Sequence, residues 1–243
     1  MFLPFSMFAA GGADHWSFFS LLGLDHHYSH VVMAAIATIA IAYLSLRVHR
    51  AYDGASEDEV LVPERGLSLR NVIELVVQGL YGLFYGILGE KTDRYFYLLA
   101  SVFLFIFVNN LMGIVPGFLP ATDNINTNIP IAVIVFVFYN LEGIREHGWK
   151  NYAKHFMGPV AWLAPLMVII EVIGHIVRPV SLSLRLFGNM TGDHIVLGLF
   201  SQFAPVFVPI IFMGLGLFVS FVQAFVFTLL SSIYISLAVS HDH

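Results

Sequence analysis

The sequence predicts an all-α integral membrane protein with about five membrane helices and one amphipathic helix at the membrane surface. Of its 243 residues, 58% are hydrophobic and 11% are charged, whereas soluble domains carry about 25% charged residues. The mean hydropathy is +0.81. Several apolar stretches reach about 19 residues, which is enough to cross a hydrocarbon core of ~30 Å. The last two are so long that we expect them to form an inclined hairpin.

The overall charge and the absence of cysteine exclude several classes of function. The net charge of −5 is spread over separate loops and gives no sign of a nucleic-acid partner. With no cysteine, the chain has neither a disulfide framework nor thiol chemistry. We therefore expect a single membrane domain over residues 1–243, in contact with lipid and without a cofactor.

The N-terminal part predicts an outer segment followed by one spanning helix. Residues 1–27 hold no Lys or Arg, and we expect them outside the membrane. His26, His27 and His30 lie close together, but a solvated segment is favoured over a metal site because no other group with ligand spacing accompanies them. The apolar run 28–46 predicts the first spanning helix, which ends at the basic sequence beginning with Arg47.

The stretch 68–89 is predicted to be an amphipathic helix that lies on the inner membrane surface. It is long enough to span, but basic residues bracket both of its ends, and a spanning helix would place one of these clusters outside. A polar stripe also recurs along it at helical spacing, formed by Ser68, Asn71, Glu74 and Gln78.

The distribution of basic residues predicts the topology of the chain. Spanning helices are predicted over 95–115 and 130–144. Of the 11 Lys and Arg residues, nine fall in segments assigned to one side, and the other two lie inside the membrane. The positive-inside rule makes that side cytoplasmic and places the N-terminus outside. The layout favours a multi-pass protein of the bacterial inner (plasma) membrane over an organellar one.

Two apolar segments, 159–200 and 203–239, are too long to stand upright as straight helices. At 1.5 Å per residue they reach roughly 63 and 55 Å, about twice the hydrocarbon thickness. Either each helix is broken, for instance at Pro179, or both are inclined as an antiparallel hairpin.

A row of polar side chains runs through the first of these segments. At 100° per residue, the side chains of this row fall within roughly 40° of one line along a helix. Only the neighbouring His194 lies outside that range. A lone charge at bilayer depth costs about 3 kcal/mol or more, so the row must face protein or water. Polar residues can also join helices, but two arginines in one segment favour a polar pathway. The row consists of Glu171, His175, Arg178, Arg185, Asn189 and Asp193.

Three motifs resemble the family of subunit a of rotary F-type ATP synthases. They are N-L-M-G-I-V-P-G at 110–117, L-R-L-F-G-N-M at 184–190 and Q-A-F-V-F-T-L-L-S-S-I-Y-I-S-L-A at 223–238. The resemblance implies an inclined hairpin wrapped against a ring of proteolipid c subunits. It also implies peripheral-stalk b subunits as partners, and a proton-translocating subunit that is not itself catalytic.

The resemblance also implies roles for the polar row. Arg185 would face the ring carboxylates and separate two aqueous half-channels. An arginine suits this role because its guanidinium does not release its proton. Glu171 and His175 would lie on the inner part of the proton path, and Asn189, Asp193 and His194 on the outer part. Gln223, on the returning helix, matches a family glutamine of the proton path that packs near the arginine. Arg178 could line the inner half-channel, neutralise Glu171 or extend to the interface. Asn110 and Tyr234 are further candidates.

One departure from the family leaves the outer relay open. Many relatives carry a carboxylate where this chain has His194, and Asp193 precedes it. Some relatives place a partner for that group on the returning helix, where this chain has Gly214 and Gly216. The proton relay of the outer half-channel is therefore assigned to either Asp193 or His194.

A self-contained ion-coupled secondary transporter is the main alternative function. That class usually shows internal repeats, but the chain has no second copy of its arginine segment. It also lacks the phosphate-binding motif G-x-x-x-x-G-K-[ST], so any ATP chemistry would belong to partner subunits. A purely structural scaffold would leave the charged row unexplained.

Overall fold

The computed structural model describes residues 29–52, 69–115, 118, 120–155, 164–200 and 207–240. Every regular element within these ranges is helical, which confirms the predicted all-α class. Five segments are long and apolar enough to cross a membrane: Ser29–Arg50, Arg70–Ile114, Ile125–Tyr152, Pro165–Leu197 and Ile210–Val239. The predicted outer segment 1–27, with His26 and His27, lies outside the described residues.

Helix α1, Ser29–Tyr52, continues past the predicted end at residue 46. The guanidinium of Arg47 donates to the hydroxyl of Tyr43 one turn earlier, at 3.0 Å. Long basic side chains can keep their apolar stems along the helix while their charged ends reach water. The basic sequence therefore does not end the helix itself.

Helices α2, Leu69–Leu88, and α3, Thr92–Ile114, meet at the 3-10 turn Gly89–Lys91. Gly89 has a φ of 58°, in the left-handed region that glycine adopts without strain. The hydroxyl of Tyr81 donates to Asp93 at 2.8 Å, and the Tyr81 ring lies 5.5 Å from that of Phe96. The end of α2 therefore packs against the start of α3. The location of α2 at the membrane surface stays a prediction.

Helix α4, Ile125–His155, follows the 3-10 turn Ala121–Asp123 and begins five residues before the predicted start. Asn124 caps it, because its side-chain oxygen accepts from the backbone N–H of Asn126 at 2.9 Å. Near its other end, Gly148 has a φ of 75° and interrupts the helical backbone. Beyond that point Tyr152 turns back, and its hydroxyl donates to Asn140 at 2.8 Å.

Helices α5, Ala164–Phe200, and α6, Phe207–Val239, are both longer than a bilayer needs. Their 37 and 33 residues correspond to roughly 55 and 50 Å. Helix α5 runs through Pro179 without a break in its assigned span. The two helices are antiparallel, as three contacts show: Arg178 with Tyr234, Asn189 with Gln223 and Phe200 with Phe212. Their inclination to the membrane stays a prediction.

One end of the bundle is held together by ion pairs around a buried carboxylate. Glu142 on α4 is 3% exposed and pairs with Arg94 at 2.6 Å and Arg145 at 2.8 Å. Lys91 contacts Glu146 at 2.9 Å and donates to the last carbonyl of α6, at Val239. The basic residues near α3 and on α4 therefore share one end with the end of α6.

Candidate functional site

The polar row of α5 faces two different environments along its length. Its first part, around Arg178, packs against α4 and the end of α6. Its last part, from Asn189 onward, meets the first half of α6 and the turn before α4. Arg185 lies between these two parts.

Arg178 is held by three neighbours. Its guanidinium lies 3.4 Å from the carboxylate of Glu171 and 3.3 Å from Nδ1 of His175, which are about two turns and one turn earlier on α5. The guanidinium carbon also lies 5.3 Å from the ring centre of Tyr234, in the geometry of a cation–π contact. The contact with Glu171 is therefore present, while a position along the inner half-channel and an extension to the interface stay predictions.

Asn140 extends this cluster onto α4. Its side-chain oxygen lies 2.7 Å from Nε2 of His175 and accepts the hydroxyl proton of Tyr152 at 2.8 Å. The hydroxyl of Tyr139 lies 3.4 Å from the same nitrogen. We refer to the group formed by Asn140, Tyr139, Tyr152, Glu171, His175, Arg178 and Tyr234 as the inner cluster.

Arg185 has a different environment. It is half-buried, between the buried Leu186 and the exposed Leu184. Within the described part of the chain, no ion pair or hydrogen bond to its guanidinium is present. The permanent positive charge of an arginine is therefore available at this point to a group from outside those residues.

The outer part of the row makes close contact with α6. The amide of Asn189 donates to the side-chain oxygen of Gln223, which is 4% exposed. A Cβ atom added at Gly216 would lie 2.8 Å from a carboxylate oxygen of Asp193. The missing side chain of Gly216 thus leaves room for that carboxylate. His194 lies in α5, but its side chain is outside the described residues.

Asn110 does not join the polar row. Its side-chain oxygen accepts from the hydroxyl of Thr122 at 2.7 Å, and the carbonyl of Thr122 accepts from Asn128 at 2.8 Å. All three side chains are buried. Asn110 therefore anchors the turn between α3 and α4.

Several contacts of the site could not be found from the sequence. Tyr152 joins the inner cluster only because the chain turns back at Gly148, whereas Asn140 joins it through the contact of α4 with His175 on α5. On the outer side, the hydroxyl of Thr191 donates to Asp123 at 2.7 Å. The one available signal was Asn140 itself, a polar residue in an apolar helix. Among the described residues, no group of three or more His, Cys, Asp or Glu side chains is arranged to hold a metal ion.

Comparisons with known proteins agree in the family they indicate. A sequence model of the family described as "ATP synthase A chain" matches residues 30–236, which include the whole polar row. The chain is 49% identical over 221 residues to "ATP synthase subunit a" of Bdellovibrio bacteriovorus, covering 91% of this chain and 96% of the relative. It is 50% identical over 175 residues to "ATP synthase subunit a" of Geobacter sulfurreducens, covering 72% and 76%. It is 44% identical over 221 residues to "ATP synthase subunit a 2" of Syntrophotalea carbinolica, covering 91% and 88%.

Proposed function

The chain belongs to the ATP synthase A chain family, and we propose that it is the proton-conducting stator subunit of an F-type ATP synthase. As a multi-pass membrane subunit of that complex, it takes part in ATP synthesis and ion transport. We propose that it is not catalytic on its own, and that two offset half-channels meet at Arg185. The observation that carries the proposal is the available charge of Arg185 within a membrane-spanning helix.

The environment of Arg185 indicates a partner outside this chain. A charge at bilayer depth costs about 3 kcal/mol or more unless protein or water compensates it. The described residues offer Arg185 no carboxylate, whereas Arg178 has Glu171. A carboxylate on a neighbouring subunit would compensate the charge. Because arginine keeps its proton even when desolvated, it would attract such a group without conducting protons itself.

The surface beside Arg185 has the shape that such a partner requires. Ser181 and Gly188 flank the arginine about one turn before and after it, and both are exposed. A Cβ atom added at Gly188 or Gly192 would meet nothing within 4 Å. Small residues allow two helices in a membrane to approach closely. This face of α5 can therefore bring the outer helix of a ring subunit within reach of Arg185.

The partner ring can be tested by cross-linking in the assembled complex. The complex should co-purify with an oligomeric ring of small proteolipids. A cysteine at Gly188 should then form a disulfide with a cysteine on the outer helix of a ring subunit. A cysteine at Ile39, which is 67% exposed on α1, is the control and should not. Efficient cross-linking at residue 39 and none at 188 would contradict the proposed ring-facing surface.

The two parts of the polar row are proposed to line the two half-channels. Glu171 would take up protons on the inner path, with 39% of its side chain exposed, and His175 of the inner cluster would lie beside it. Asn189, Asp193 and His194, with Gln223 beside them, would form the outer path. A carboxylate at that depth needs its own access to water, because a dry one would be neutral and exchange protons slowly.

The proposed location is the bacterial inner membrane, with the N-terminus outside. The shared position of Lys91, Arg94 and Arg145 at one end of the bundle supports a single basic side. The peripheral-stalk b subunits are further proposed partners, and the surface helix α2 remains part of this proposal.

Labelling of single cysteines tests both the sidedness and the half-channels. In the chain without native cysteine, cysteine at position 171 should react with a small hydrophilic thiol reagent added from the inside. Cysteine at 189 should react from the outside, although both positions lie on one side of α5. Inhibition of proton transport reports the reaction. Equal reactivity of both from one side would indicate a single continuous pore, and exchanged sides would invert the topology.

A further inference from the structure

We propose that Asn140 holds His175 as a neutral imidazole with its proton on Nε2, so that His175 positions Arg178 against Glu171 and carries no transported proton. The consequence for transport rests on the proposed proton-conducting function. The protonation state of His175 does not depend on it.

The orientation of the Asn140 amide is the first step. Its nitrogen lies 2.7 Å from the backbone carbonyl oxygen of Phe136, a group that only accepts hydrogen bonds. The opposite orientation would place two acceptors against each other at that distance. The amide oxygen of Asn140 therefore faces Tyr152 and Nε2 of His175.

This orientation determines where the proton of His175 lies. An amide oxygen accepts and cannot donate, so the contact of 2.7 Å requires a proton on Nε2. At the other side of the ring, Nδ1 lies 3.3 Å from a guanidinium nitrogen of Arg178. Arginine has donors only, so Nδ1 must be the acceptor. Of the three forms of a histidine ring, only the neutral Nε2–H form satisfies both contacts.

Aromatic rings hold the imidazole in this position. The rings of Phe136 and Tyr139 lie 5.3 and 5.4 Å from the ring of His175, both steeply tilted to it. Among the described residues, the ionisable groups around it are Glu171 and Arg178 on α5, Tyr139 and Tyr152 on α4, and Tyr234 on α6.

The direction of the hydrogen bonds excludes a proton relay along this series of groups. Tyr152 and His175 both donate to Asn140, while Arg178 donates to His175 and to Glu171. The oxygen of Asn140 therefore accepts from both sides, and its amide, which cannot take up and pass on a proton, interrupts the series. Glu171 is left as the proton-accepting group of the inner path, and Asn140 and His175 are positioning residues.

The protonation state can be measured directly in the assembled complex. Histidine labelled with ¹⁵N gives separate solid-state NMR signals for protonated and unprotonated ring nitrogens, and the signals of His175 are those lost in His175→Gln. We expect one protonated nitrogen, Nε2, and one unprotonated nitrogen, Nδ1, at every pH at which the complex transports protons. A doubly protonated ring at those pH values, or a proton on Nδ1, would overturn the proposal.

Two substitutions separate positioning from proton transfer. Glutamine offers an amide donor and an oxygen acceptor but cannot carry a proton, whereas leucine offers neither. ATP-driven proton pumping per assembled complex should stay close to that of the wild type in His175→Gln. It should fall about tenfold in His175→Leu, because the half-buried Asn140 and Arg178 each lose a hydrogen-bond partner. An equally large loss in both variants would show that His175 carries protons.

A second pair of variants tests the role of Asn140. Asn140→Leu should lower pumping in the same way as His175→Leu. Asn109→Leu changes a buried asparagine whose amide donates to its own helix at Phe105, and it should leave pumping close to wild type. If pumping in Asn140→Leu is unchanged, the positioning role is wrong. Failure of the stator proposal would appear instead as pumping that is independent of Arg185, with the NMR signals of His175 unaffected.

Discussion

Arg178 and Arg185 lie on the same side of α5, seven residues apart, yet their surroundings have little in common. Arg178 has a carboxylate, an imidazole and an aromatic ring around its guanidinium. Arg185 has small and apolar neighbours, with no described hydrogen-bond partner. The comparison distinguishes a charge that is paired within this chain from a charge that has no partner among the described residues.

The difference arises from what the neighbouring helices bring to each position. Opposite Arg178, α4 and α6 carry Asn140, Tyr139 and Tyr234. Between Tyr234 and Gln223, α6 buries the apolar Phe227 and Ala224. The buried hydroxyls of this stretch, those of Thr228, Ser231 and Ser232, donate to carbonyls of α6 itself. In the described part of the chain, none of these groups is hydrogen-bonded to the guanidinium of Arg185.

The same substitution at both arginines is expected to give the largest contrast. Arg185→Ala should abolish ATP synthesis driven by a proton gradient, and passive leakage of protons through the membrane sector should rise. Arg185→Lys should also fail, since a desolvated lysine can lose its charge. Arg178→Lys should keep most of the synthesis, because a lysine can still pair with Glu171 at that position.

Synthesis and leakage are both measured in vesicles that contain the assembled complex. Near-normal synthesis in Arg185→Lys would contradict the argument from a fixed charge. If Arg178→Lys fails as completely as Arg185→Lys, the distinction between a structural and an available charge is wrong.

The sequence predicted those features that depend on a single helix. The angular spacing of Glu171, Arg178 and Arg185 follows from the period of 3.6 residues, and charge at membrane depth is rare enough to be informative. The lengths of α5 and α6 left open either broken helices or an antiparallel hairpin, and the family resemblance implied the hairpin. The membrane class could be predicted from these helices and the family from the three sequence motifs, and both predictions are confirmed.

Features that depend on how separate helices meet could not be predicted. Tyr152 reaches Asn140 because the backbone reverses at Gly148, and a single glycine in a polar stretch does not predict that reversal. Asp123 meets Thr191 through a short 3-10 turn that has no periodic pattern. The helical period of α5 alone also could not separate Arg178 from Arg185, and only the family resemblance distinguished them. Part of the structural difference between them lies in residues of α4 and α6.

The smallest expected effect concerns the outer part of the polar row and compares Gly216→Ala with Gly214→Ala. At Gly216 the new methyl group would lie 2.8 Å from a carboxylate oxygen of Asp193, so that carboxylate must move. At Gly214, two residues earlier and exposed, the methyl group meets nothing within 4 Å. Displacing a packed group by part of an ångström costs about 1 kcal/mol, or roughly fivefold in rate. Proton pumping per assembled complex should therefore fall roughly fivefold in Gly216→Ala and stay near wild type in Gly214→Ala. Equal pumping in the two variants would show that the position of Asp193 does not limit the outer path, and the relay would then be assigned to His194.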